Sequence, residues 1–147
     1  GYGMRLETVD KELLDRLKKS TIEQQKKSAI AACELALKMS EVDIPDAIAC
    51  LESIQSGNLL SSEKINKLEI IIARLDEQYF DSKHNTDRPL NAKSLQFFSQ
   101  ARAISALIFL GREQSLTAAS EAIYEASSSV DDGTIIFEKV RSVLSAS

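Results

Sequence analysis

Few residues in this chain belong to types that do chemistry, and their spacing limits what they can do. The single histidine, His84, stands in a polar stretch beside Asn85 and Asp87. A general base needs an orienting partner and a pocket. This stretch is short of apolar walls, so His84 reads as a solvated loop residue. Cys33 and Cys50 lie 17 positions apart, with no CxxC spacing and no histidine nearby in sequence. A structural zinc site takes about four ligands, so both read as small, reduced, buried hydrophobes. Carboxylates gather at Asp76, Glu77 and Asp81, and again at Asp131 and Asp132. They lack the alternating pattern of a calcium loop, and the second pair reads as helix capping and solvation. No glycine-rich phosphate loop and no Gly-x-Ser-x-Gly elbow is found. The expectation is a protein that is not an enzyme and needs no metal or cofactor.

The charge distribution says more. The net charge is −4, but it is uneven: residues 41–82 hold nine acids and three bases, a net of −6. Residues 1–40 come to +2, 83–114 to +3 and 115–147 to −3. Such a field would steer a basic partner and speed its association. It would repel the phosphates of a nucleic acid. The alternative is a solvated face with no partner.

The elements that would position these charges are helices. Gly is 5, Pro is 2, and aromatic residues are 5% of the chain, too few for a turn-rich sandwich. The organising stretch is Ser94 to Leu110, above all Ala103 to Leu110, where only Ser105 is polar. A helix apolar all round has protein on most sides. This one therefore reads as the central helix, with Gly111 as its left-handed C-terminal cap. Around it, apolar residues recur with helical period. The first helix is expected over Thr8–Lys19, with Leu13, Leu14 and Leu17 inward. A capping box at Ser20-Thr21-Ile22-Glu23 starts the second, which runs to Met39. The third opens near Asp43, with Pro45 in its first turn, and ends at Gly57. The fourth is capped by Ser61 or Ser62 and runs its stripe to Tyr79, with Ile70 and Phe80 widening the apolar arc. The stretch 82–91 is the long non-periodic connection. Ser115 caps a sixth helix, and Asp131 or Asp132 caps the seventh.

The fold class expected is all-α, about seven helices in an orthogonal or antiparallel bundle, with degenerate HEAT-like hairpins as the alternative. A single domain spans residues 4–147, and Gly1-Tyr2-Gly3 reads as a cloning remnant. No apolar run reaches the roughly 18 residues of a membrane span, and no secretion signal is visible. A cytoplasmic location is expected.

Helical phase places Asp46 and Glu52 on the solvent side of the third helix. It places Glu69, Asp76 and Glu77 on that of the fourth, with Tyr79 as an aromatic anchor at the end of the run. Phe80 is expected in the core. Small, acidic and all-helical, the chain resembles the immunity proteins that bacteria pair with secreted or contact-delivered toxins. That resemblance rests on size and character over the whole chain and assigns no residue a role. It implies a basic, nuclease-type toxin domain as partner, because a protein that acts on a polyanion is itself basic. A HEAT-like or tetratricopeptide-like adaptor, or a regulatory interaction domain, is the alternative.

Overall fold

The computed structural model describes residues 4–83 and 92–146. His84, the Gly1–Gly3 stretch and most of the expected 82–91 connection lie outside the described residues. About 81% of the structure is helical and none of the described residues is in a strand. Among the described residues eight helices follow one another: α1 Arg5–Val9, α2 Lys11–Lys18, α3 Ile22–Met39, α4 Pro45–Gln55, α5 Ser62–Lys83, α6 Ala92–Arg112, α7 Leu116–Ser128 and α8 Thr134–Ala146.

The count exceeds the expected seven because the first helix breaks at Asp10. Asp10 leaves helical geometry, and its carboxylate accepts the Leu13 amide at 3.0 Å. A short acidic side chain that can cap competes with helix continuation. The capping box of α3 sits one residue later than expected. Thr21 Oγ1 accepts from the Gln24 amide at 3.1 Å, and Gln24 Oε1 accepts from the Thr21 amide at 3.0 Å. The Ser20 hydroxyl instead donates back to the Arg16 carbonyl. Asp43 does not cap α4; Ile44 holds that position without a side-chain bond, and Pro45 opens the helix. Ser61, Ser115 and Asp132 each accept a first-turn amide of the helix they precede.

Two helix ends close alike. At the end of α4, Gly57 at φ +93° donates to Ile54 O, and Asn58 donates to Ser53 O. This is the paired arrangement that satisfies terminal carbonyls with a left-handed residue. The end of α3 has the same two bonds, but the left-handed residue is Glu41, at φ +55°.

The expected central helix is central. Ala101, Ala103, Ile104, Ala106 and Leu107 are fully buried, and α6 packs against α3, α4, α5 and α7. α7 is almost as enclosed, through small residues: Ala118, Ala119, Ser120, Ala122, Ala126 and Ser127 are all buried. α3 and α8 complete that side, with Cys33, Ile136 and Val140 at full burial. Cys50 on α4 is buried as well. Burial pushes both thiols above their ordinary titration range, that of Cys50 with a smaller opposing pull from Lys64.

Gly111 does not end α6; the helix continues to Arg112. Its role is close approach. The Leu60 amide donates to Gly111 O at 2.9 Å, and a Cβ on Gly111 would stand 2.4 Å from Leu60 Cδ1. That contact seats the α4–α5 connection on α6. Gly111→Ala is expected to destabilise the fold by about 1–3 kcal/mol through overpacking, read by urea denaturation. An unchanged midpoint would mean that Leu60 turns aside freely.

A candidate protein-binding surface on α4 and α5

α5 is an edge helix. It packs chiefly on α6 and only lightly on α4. Leu68 and Leu75 are buried, Ile65, Ile71, Ile72 and Tyr79 are half-buried, and all lie on one side. The opposite side is in water. Along it runs a ridge at three- and four-residue spacing: Glu63, Asn66, Ile70, Ala73, Glu77 and Phe80. Residues so spaced stack along one helix face. Ile70 is 52% exposed and Phe80 is 58% exposed. Phe80 was expected in the core. It lies outside because the inward stripe continues through Tyr79, which tilts against Phe98 of α6 with ring centroids 5.3 Å apart.

The acids expected to form one face fall into two kinds. Glu69 and Asp76 flank the ridge on the side toward α6 and are held there. Glu69 pairs with Arg112 at 2.6 Å and Asp76 with Arg102 at 3.4 Å. Asp46, Glu52 and Glu77 are exposed and make no ion pair among the described residues. They are not gathered into one patch. Asp46 faces Lys64 and Lys67 across a cleft between α4 and α5, with Ala49 and Cys50 lining it. Glu77 stands ten residues beyond Lys67, roughly 15 Å along the helix. Lys67 also reaches Glu63 at 3.8 Å. The free negative charge therefore divides between α4 and the C-terminal half of α5, where Asp81 is also exposed.

Sequence reasoning missed the group that anchors the flank of α5. Glu125 on α7 is buried, its side chain 7% exposed, and two guanidiniums hold it. Arg5 of α1 reaches it at 3.0 Å and Arg102 of α6 at 3.5 Å, while Arg102 also meets Asp76 of α5. Arg5 binds Glu121 as well, and its guanidinium lies 4.4 Å from the Tyr124 ring centroid. Four helices are thus joined by one chain of charges. The signal in the sequence was Glu125 itself, one residue before the inward Ala126 and two after Ile123. A buried carboxylate needs cations and hydrogen-bond donors.

Among the described residues no group of histidines, cysteines or carboxylates could hold a metal ion. None of the described helices is long and apolar enough to cross a membrane. No family model, no curated protein and no solved structure matches this chain. Geometry is what supports a functional reading.

The two kinds of acid give a test. Glu125→Ala is expected to cost about 1–3 kcal/mol, because two guanidiniums lose their shared buried partner. Glu69→Ala, which breaks an exposed pair, should cost about 0–1 kcal/mol. Chemical denaturation of both variants checks the order; equal losses would mean that Glu125 is not the anchor.

Proposed function

We propose that the chain is a protein-binding module that acts as an immunity protein, masking a basic toxin domain of the nuclease type. The observation that carries this reading is the outer ridge of α5. Ile70, Ala73 and Phe80 stand in line on a helix whose other face is already buried, with Glu77 between them. An amphipathic helix laid into a partner's groove is read through anchors at this spacing. An exposed aromatic and an exposed aliphatic supply the desolvated contacts that dominate interface energy. Glu77 and Asp81, and Glu52 on α4, supply charge that steers a basic partner and disfavours nucleic acid.

The ridge does not suit a second copy of this chain. In a parallel pairing of two α5 helices, Glu63 and Glu77 would meet their own copies. In an antiparallel pairing, Lys67 would meet Arg74 and Glu69 would meet Asp76. Like charges so placed disfavour association. The adaptor alternative has less support, because a helical solenoid stacks each repeat on its neighbours alone. Here α3 packs on α6, α7 and α8, and α1 packs on α7.

The test is a pull-down from the native host, with the bound protein identified by mass spectrometry, followed by binding kinetics at low and high salt. A single basic protein is expected. Glu52→Lys with Glu77→Lys should slow association by about tenfold at low salt and flatten its salt dependence. Phe80→Ala should act on dissociation, at a cost above about 1 kcal/mol. Unchanged rates in both variants would place the interface elsewhere.

A further inference from the structure

A second surface, sharing no lining residue with the α4–α5 cleft, has a shape that α5 lacks. The C-terminus of α3, the first half of α6 and the turn between α7 and α8 enclose an open groove. Its larger part, about 610 Å³, is lined by Met39, Ser40, Glu41, Leu95, Gln96 and Asp131, with Lys93 and Ser99. A continuation of about 330 Å³ shares Met39, Ser99 and Asp131 and adds Val130, Asp132 and Ile135. Three large apolar side chains from three helices line it in water: Met39, shared by both parts, is 42% exposed, Leu95 in the larger part 48% and Ile135 in the continuation 41%. Scattered exposed hydrophobes need no explanation, but a groove that gathers them marks a binding surface.

The polar groups have a consistent sign. Glu41, Asp131 and Asp132 face Lys93 as the one cation among the lining residues. Glu41 is presented by its left-handed backbone, and among the described residues its carboxylate receives only the Gln96 amide, at 3.3 Å. Gln100 holds the backbone beneath by donating to the Ser40 and Glu41 carbonyls at 3.2 and 3.1 Å. Asp132 spends one oxygen on Thr134. Asp131 is exposed and makes no ion pair among the described residues. Ser40, 4% exposed, lines the same end, and its hydroxyl oxygen has no hydrogen-bond partner among the described residues.

We propose that this groove is a docking site for a short segment of another protein in which a lysine or arginine stands beside a large aliphatic side chain. The aliphatic group lies against Met39, Leu95 and Ile135. The cation lies between Glu41 and Asp131, where its N–H donors can meet the two exposed carboxylates. The site is separate from the outer ridge of α5 and stands or falls independently of it.

The experiment uses the whole chain, isotope-labelled, and two synthetic peptides: acetyl-Arg-Leu-Leu-Arg-amide and its counterpart with glutamate in place of arginine. Amide chemical shifts are followed during titration. The basic peptide is expected to move resonances of residues 39–41, 95–99 and 130–135, and the acidic peptide to leave them still. Asp131→Lys should weaken the basic peptide about three- to tenfold, as should Leu95→Ser combined with Ile135→Ser. Glu77→Lys, on the α5 ridge, should change nothing, with circular dichroism confirming the fold of each variant. Equal response to both peptides, shifts centred on residues 63–80, or no shifts at all would overturn the proposal. So would concentration-dependent shifts at the groove without peptide, which would assign it to a second copy of this chain.

Discussion

The structure depends on one constraint: the stretch Ala101–Leu110 of α6 is apolar on nearly every side and must be covered there. From Ala101 to Leu110 only Arg102, Ser105 and Phe109 escape full burial. Burying such a helix takes a ring of neighbours, here α3, α4, α5 and α7. The ring closes only where backbones come close. Alanines and serines on α7 allow that on one side, and Gly111 under Leu60 allows it on another. The neighbours share the coverage unequally. α7 is enclosed by others in turn, whereas α5 covers α6 with one face and, among the described residues, is touched otherwise only lightly, by α4. Its outer face is what remains once the core is satisfied, and it carries Ile70, Phe80 and Glu77 in exposed positions.

Electrostatics follow from the same arrangement. A carboxylate on an enclosed helix has to bring its counter-charges with it, and Glu125 draws Arg5 and Arg102 inward from two other helices. Arg102 and Arg112, on the flank of α6, then claim Asp76 and Glu69 of α5. The acidity of residues 41–82 is thereby sorted into charge that holds the fold and charge that faces water. Only the second kind can steer a partner. That sorting is why Glu52 and Glu77, rather than Asp76, are the residues on which binding kinetics should turn.

Much of the fold was legible in the sequence, since periodicity reports burial directly. The uniform apolarity of Ala103–Leu110 marked the hub, and Ser61, Ser115 and Asp132 marked helix starts. What escaped was conformational competition and contact across the chain. Asp10 breaks a helix whose stripe continues through it. Glu41 takes the left-handed role that sequence assigns to glycine, while Gly111 serves packing. Of the six proposed contact residues, Asp46, Glu52 and Glu77 are exposed as helical phase requires. Glu69 and Asp76 have partners on α6 that no local pattern announces, and Tyr79 turns half inward against Phe98. Phe80 shows the limit most plainly: hydrophobicity alone placed it inside, and only the tertiary position of α5 places it in water.

The central claim is that the middle of the outer ridge of α5 is surplus to folding. It is tested most directly by the denaturant midpoint of a variant carrying Ile70→Ser and Ala73→Ser together. A spare ridge predicts a stability within about 0.5 kcal/mol of the parent, as for surface positions away from packed contacts. A loss above about 2 kcal/mol, the scale of emptying a core site, would contradict it and return both side chains to the core.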